Sequence, residues 1–374
     1  MKKILLAPNS FKECSGATEI CKILSEKLDT NQNIKTRCIP ISDGGDGFLD
    51  ICKNLFNLDI INYQVSTTYS NDLLNCRIGY SAGSKEIYIE SAEVIGLHKI
   101  PVDKRHPLSL NSRGLGELLK CIIDAKLDVD KVIIGVGGTG TSDLGLGLCS
   151  VFGLELIDFF DKKMEVIPDN FSTTEKFNWE NTSLPFDIEL VMDVNNPLLG
   201  ENGAVKTFAR QKGATTREIK TLELGFTKII KLLKNNSLLK DDLWLSGAGG
   251  GLAAGLQIFF NAKLLPSEDF IKSNLLGKLD FSDFDLIVTG EGAFNNQSLM
   301  KKGAGVILEI CEEKKIPVAL VCGKIEKELL EKMDNTIYPI ELASFFDGDM
   351  NKSIKNYKNG LELAGDKIIS LLKV

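Results

Sequence analysis

The sequence predicts an α/β protein of two α/β domains: a parallel-sheet domain formed by both chain ends, and a second, mixed-sheet domain inserted between them. Three observations carry this expectation. Short buried strands alternate with amphipathic helices near both ends of the chain, the signature of βαβ units and a parallel sheet. The stretch from about Val65 to Glu90 switches instead to strict alternation, which reads as antiparallel strands. At 374 residues, 43% of them hydrophobic, the chain can bury about two ordinary cores. The domain limits expected are 1–62 with 283–374, and 63–282.

The elements follow in order. Lys2 to Ala7 reads as a buried strand, and Ile20, Ile23, Leu24 and Leu28 recur at helical spacing behind an N-cap expected at Ser15. Thr36 to Ile41 gives a second strand, closed by Asp43-Gly44-Gly45-Asp46-Gly47 ahead of a helix from Phe48. Cys76–Tyr80 and Glu86–Glu90 alternate, with Ser81-Ala82-Gly83-Ser84 as the hairpin turn between them. A helix over Gly116–Ala125 precedes a strand over Lys131–Gly135, while residues 158–185 read as an irregular surface excursion. A strand from Ile188 to Met192 delivers Asp193, and Arg217–Leu233 is helical. Strand Leu286–Thr289, helix Gly305–Lys314 and strand Val318–Val321 return the chain to the pattern of its start.

Composition excludes several classes of function. The formal charge of −7 argues against nucleic acid or an anionic membrane surface as partner, since both need a basic face. Only two histidines, His98 and His106, leave little material for histidine metal sites or a histidine general base. The nine cysteines include no C-x-x-C pair and sit among apolar neighbours, as reduced core thiols do. The apolar run after Met1-Lys2-Lys3 is too short for a signal segment, and no stretch approaches a membrane span, so a cytoplasmic location is expected.

Glycine is in excess, and its placement is informative. Eighteen of the 34 glycines fall in five places: 44/45/47, 135/137/138/140/145/147, 247/249/250/251/255, 290/292 and 303/305. Several of these follow a strand and adjoin a carboxylate, as at Asp43, Asp143 and Glu291. Glycine lets backbone N–H groups approach an anion closely, and open α/β sheets bind ligands beyond the carboxyl ends of their strands. Any one cluster by itself reads more readily as turn or packing glycine; the set with its acids reads as a phosphate site.

Competing motifs are weaker. Gly135-Val136-Gly137-Gly138-Thr139-Gly140 satisfies G-x-G-x-x-G, but the acid a dinucleotide site wants is only approximated by Asp158. The serine, threonine and Asp143 after that loop suit phosphate and Mg²⁺ better. No G-x-x-x-x-G-K-[ST] occurs, which removes a P-loop NTPase. Gly79-Tyr80-Ser81-Ala82-Gly83 matches a nucleophile elbow in letters, yet it sits between strands and reads as a hairpin turn. Phosphoryl transfer needs positioned charge: Mg²⁺ on carboxylates, and a cation and amides on the phosphates. Candidate parts are Lys12, Asp43, Asp46, Asp193, Glu291 and Lys212, the last with a strong alternative as a solvated surface lysine. Asp193 and Asp143 are the candidate metal ligands.

Nine collinear blocks resemble the bacterial glycerate kinase family that is unrelated to P-loop kinases. They are Ala7–Lys12, Ser42–Gly47, Glu90–Ala92, Ser112–Leu118, Gly137–Asp143, Asp193–Leu198, Gln211–Ala214, Gly247–Leu252 and Thr289–Gly292. The resemblance implies a flavodoxin-like domain built from both termini, and ATP-dependent phosphorylation of D-glycerate with Mg²⁺. It leans toward 2-phosphoglycerate as product and leaves a homodimer open.

On this reading Lys12, Asp43 and Asp193 are catalytic, with Asp193 the first choice for base or metal ligand. Substrate and phosphate contacts are expected from Ser10, Gly44, Gly45, Ser112, Arg113, Gly137, Gly138, Thr139, Gly140, Thr141, Gly249, Gly250, Gly290, Glu291 and Gly292. The chain departs from the family pattern at Asn9 and Asn295, where Asp is usual, at Ser142 and Asn111, and at Lys301-Lys302-Gly303. Asn supplies neither a base nor anionic charge for Mg²⁺. The alternative is therefore a catalytically impaired relative that binds a nucleotide or small acid.

Overall fold

The computed structural model describes residues 1–11, 14–193, 196–240, 243–296, 298–299, 302–331 and 333–372. The chain divides into two compact units, Met1–Leu55 with Ser267–Val374, and Phe56–Pro266.

The first unit is built on a five-stranded sheet in which every neighbouring pair is parallel. Its spatial order is Ile34–Cys38, Lys2–Leu6, Leu286–Thr289, Val318–Cys322, Ile337–Glu341, which is the 2-1-3-4-5 order of flavodoxin-like folds. Leu286–Thr289 and Val318–Cys322 are buried at every position, which explains their continuous apolar runs: helices cover both faces. Helix Ala17–Leu28 turns Ile20, Cys21, Leu24 and Leu28 inward, onto a core shared with Ile4, Leu6, Val288, Val321, Leu361 and Ile368.

Two local expectations are corrected here. The helix is capped by Gly16 in an extended conformation, and the Ser15 hydroxyl instead donates to Glu19 in the first turn at 2.9 Å. The second strand spans Ile34–Cys38 and not 36–41, because Pro40 has no N–H to continue the ladder. Ile39 and Ile41 still donate to the carbonyls of Leu6 (2.8 Å) and Pro8 (3.0 Å).

The second unit holds a six-stranded mixed sheet in the order Lys263–Pro266, Asp187–Met192, Lys131–Gly135, Glu86–Glu90, Leu73–Ser81, Asp59–Ser66. The first four are mutually parallel, and the last two join antiparallel, as the alternation over 65–90 predicts. Residues 82–85 form the hairpin turn, with Ser81 opposite Glu86. Helix Arg113–Asp124 packs Leu115, Leu118, Leu119 and Ile122 against the sheet's apolar face. Helix Thr216–Asn235 starts at a capping box between Thr215 and Glu218. The segment expected to be irregular is more ordered than its sequence suggests. Glu155–Ile157, Lys163–Met164 and Lys176–Asn178 form a small antiparallel sheet, with a 3-10 turn at Pro168–Thr173 between its second and third strands.

Candidate functional site

In the second unit, strands Lys131–Gly135 and Asp187–Met192 run side by side with Gly135 opposite Val191. Their carboxyl ends therefore release the 137–141 glycine loop and Asp193 at one edge of one sheet. The loop is pinned from one side by Leu97 N–H donating to the Gly138 carbonyl (2.9 Å) and by Gly140 N–H donating to the Ile95 carbonyl (2.7 Å). Gly138 takes a left-handed φ of +68° at the exposed crown of the loop. The amides of Gly137, Gly138 and Thr139 make no hydrogen bond among the described residues. Asp193 is half-buried just past its strand.

Lys212 docks against this loop, so the candidate is kept and its alternative, a solvated surface lysine, is overturned. It is only 7% exposed. Its Nζ donates to the Thr141 carbonyl at 2.6 Å and to Thr139 Oγ1 at 3.3 Å. Gly213, at φ +98°, makes the turn that follows it. Burial pulls the Lys212 ammonium down to about 8, with the Asp143 charge opposing that shift.

Asp143 is wholly buried, and both its oxygens are in use. Oδ2 accepts from Ser112 N (2.7 Å), Ser112 Oγ (2.7 Å) and Gly147 N (3.2 Å), while Oδ1 accepts from Gly145 N (3.2 Å). Desolvation pushes its carboxyl up from the usual range, and the four donors hold it back. This geometry makes Asp143 a brace between the 112 and 145–147 backbones, a different employment from the metal ligand expected. Ser112 is equally committed, since its hydroxyl also accepts from Leu148 N at 3.0 Å. Arg113 keeps a half-exposed guanidinium paired to Glu117 at 2.9 Å.

The 247–255 glycines serve the loop from behind. A Cβ on Gly250 would overlap the Thr141 carbonyl oxygen, and one on Gly249 would fall 2.6 Å from Val136 Cγ1. Gly249, Gly250 and Gly251 are all left-handed, at φ +65°, +69° and +86°. The run lets this backbone lie directly on the 136–144 backbone, so close packing accounts for these glycines.

In the first unit, the strand order reverses between Lys2–Leu6 and Leu286–Thr289, the switch point where such sheets take ligands. The loops released there meet: Asn9 N–H donates to the Gly290 carbonyl at 2.8 Å. The Asn9 side chain turns back, its Oδ1 accepting from Ser10 N at 2.8 Å. Gly303, at φ +46°, passes so close that a Cβ would lie 2.6 Å from Asn9 Nδ2 and 3.7 Å from Glu291 Oε2. Gly290 leaves no room for a side chain against the Val321 carbonyl, and the Gly292 carbonyl accepts from Lys324 N at 3.1 Å. The next loop carries Asp43, half-buried, with Oδ1 accepting from Gly45 N at 3.1 Å; the neighbouring Gly44 N donates to Ser42 Oγ at 3.2 Å. Lys12 lies outside the described residues.

Asp158, the acid a dinucleotide site would need, organises a tight turn by accepting from Phe160 N (2.8 Å) and Lys162 N (2.9 Å). Among the described residues no group of three or more His, Cys, Asp or Glu gathers to hold a metal, and no helix is long and apolar enough to cross a membrane. The nine cysteines are all free thiols.

Known proteins resemble this chain over most or nearly all of its length. The glycerate kinase of Haemophilus influenzae is 28% identical over 380 residues, spanning 99% of this chain and 98% of that protein. The glycerate kinase of Neisseria meningitidis is 29% identical, spanning 87% of each. The glycerate 2-kinase of Escherichia coli is 27% identical over 87% of this chain and 86% of its own. A crystal structure from Salmonella typhimurium LT2, provisionally named glycerate kinase 2, superposes with a TM-score of 0.78 at 26% identity, covering 100% of this chain and 98% of that one. A profile of the glycerate kinase family matches residues 4–373, so the chain belongs to the glycerate kinase family and is a kinase of that family.

Proposed function

We propose that this protein transfers the γ-phosphoryl group of ATP to the 2-hydroxyl of D-glycerate, releasing ADP and 2-phosphoglycerate. The observation that carries the reading is the shared sheet edge in the second unit. There a glycine loop with unengaged amides, Gly137 to Thr139, leaves the sheet beside a strand that ends in the carboxylate of Asp193. Phosphoryl transfer asks for little more than such donors on the phosphates and a carboxylate for the hydroxyl or the metal. The names of the aligned relatives supply the acceptor and, from the Escherichia coli protein, the 2-position.

Asp193 is the proposed base or Mg²⁺ ligand, with Asp43 second. A half-buried carboxylate at a strand end suits Mg²⁺, which takes one or two carboxylates and fills its shell with water and phosphate oxygens. Bound Mg²⁺ would supply charge neutralisation to the phosphates. Asp193→Asn is expected to lower kcat by at least ~10²-fold with D-glycerate, as loss of a positioned acid-base group does. A near-normal kcat removes Asp193 from that role.

ADP release with D-glycerate, ATP and Mg²⁺ tests the activity. Direct dehydration of the product by enolase separates 2-phosphoglycerate from the 3-isomer. Nucleotide binding without turnover would favour instead the reading as a non-catalytic relative, which the neutral Asn9 at the switch point of the first unit motivates.

A further inference from the structure

Among the described residues Lys212 is a buried cation outside any ion pair. Among the described residues no carboxylate lies within ion-pair distance of its Nζ, and the one nearby charge, Asp143, has its oxygens committed to Ser112, Gly145 and Gly147. Two of its three N–H donors reach the Thr141 carbonyl and Thr139 Oγ1. Lysine is almost never fully buried unless paired. A second observation points the same way: Thr141 Oγ1 is buried with no hydrogen-bond partner among the described residues. A native interior rarely leaves such a group unsatisfied. Both anomalies meet at the 137–141 loop, which carries Thr141 and receives the Lys212 ammonium, and whose amides at 137–139 are also unengaged.

We propose that Lys212, the Thr139 and Thr141 hydroxyls and the 137–139 amides form the seat of a compact oxyanion in the reaction, with Lys212 as its cation. This rests on the phosphotransferase reading given above and adds the residue that binds the anion's charge. The ligand chemistry is a doubly or triply accepting oxygen group, which two participants carry: the acceptor's carboxylate and a phosphate of the nucleotide. An anion seated at this loop would answer all three observations: the buried cation, the orphan hydroxyl and the unengaged amides. The glycine run behind the loop, which admits no Cβ at Gly250, holds the Thr141 carbonyl and hence the ammonium in place.

Calorimetry on the full chain separates the sources. D-glycerate alone and the Mg²⁺ complex of a non-hydrolysable ATP analogue are titrated into wild type, Lys212→Gln and Thr141→Val. Lys212→Gln is expected to weaken one of the two ligands by about tenfold or more and leave the other within about twofold, in line with loss of one charge-assisted hydrogen bond. A fall for glycerate assigns the seat to the carboxylate; a fall for the analogue assigns it to phosphate. Thr141→Val is expected to weaken the same ligand about three- to tenfold while the melting temperature stays level or rises, because an unsatisfied buried hydroxyl is removed.

Unchanged affinities for both ligands in a folded Lys212→Gln protein overturn the proposal. So does a Thr141→Val protein that melts earlier and binds normally, and this second variant decides the matter if Lys212→Gln does not fold. The broader reading fails separately. Wild type that binds inorganic phosphate through Lys212 but never phosphorylates glycerate keeps the seat and loses the substrate. Lys212→Gln protein that turns glycerate over with wild-type kcat and KM does the reverse.

Discussion

Removing the charge of Lys212 should make the stability difference from wild type depend on pH. An exposed lysine titrates near 10.5, and burial brings Lys212 to about 8. Between these values the unfolded chain binds a proton that the folded chain has released, so the contribution of Lys212 to folding rises with pH. Below pH 8 folding carries the full penalty, about 3 kcal/mol from 1.36 kcal/mol per pKa unit. From pH 7 to 9.5 the same arithmetic recovers about 2 kcal/mol of that penalty. Lys212→Met keeps a long apolar stem and drops the charge, and it leaves the Thr141 carbonyl short of a donor. That loss costs about 1–3 kcal/mol but is independent of pH. Urea unfolding of both proteins at pH 7, 8, 9 and 9.5 isolates the effect, since every other titrating group is common to the two. The wild-type curve should gain about 2 kcal/mol on the variant across this range. A difference that stays flat with pH would refute the burial of a charged Lys212.

Three further outcomes follow from the same packing. Gly250→Ala should destabilise by about 2–5 kcal/mol, from a left-handed φ and overlap with the Thr141 carbonyl, and a urea midpoint equal to wild type would contradict the packing role of that glycine. Asp143→Asn should cost about 2 kcal/mol or more of stability, because one carboxylate oxygen becomes an NH2 set against N–H and O–H donors, while the Mg²⁺ concentration needed for half-maximal turnover stays put; a raised Mg²⁺ requirement in a stable protein would make Asp143 a metal ligand after all. Cys38, exposed and brought down to about 7 by its contact with the Cys21 thiol, should be the first cysteine alkylated by iodoacetamide at neutral pH, whereas burial raises Cys21, Cys76, Cys149, Cys311 and Cys322; peptide mapping that finds another site modified first would contradict this.

Much of the scaffold is legible in the sequence because burial leaves a periodic trace. The apolar runs Ile4–Ala7, Leu286–Thr289 and Val318–Val321 announce a sheet covered on both faces, and the alternation at Cys76–Tyr80 announces a strand with one face less buried; Glu86–Glu90 alternates as well, yet is buried from Ile87 to Glu90. Three-residue strands such as Glu155–Ile157 carry too few periods to be read, which is why the small antiparallel sheet passes for an irregular excursion.

In the site, the sequence shows which loops matter but not which atoms face inward. Asp143 looks like a metal ligand because it follows a glycine loop; its saturation by Ser112, 31 residues upstream, exists only in three dimensions. Lys212 looks like a surface residue because Arg210-Gln211-Lys212 is polar, and only the turn at Gly213 and the loop it meets, some seventy residues earlier, show it buried. The same limit applies to the glycines at 247–255. Their number suggests anion contacts, and their environment shows backbone packed on backbone.

The central claim is phosphoryl transfer to glycerate at a sheet edge that holds Asp193. The most direct measurement is ADP release by the purified full chain with D-glycerate, ATP and Mg²⁺, coupled through enolase to register 2-phosphoglycerate. Turnover dependent on glycerate, and lost in Asp193→Asn protein that folds normally, is the predicted result. Folded wild-type protein that releases no ADP above the glycerate-free background would contradict the account.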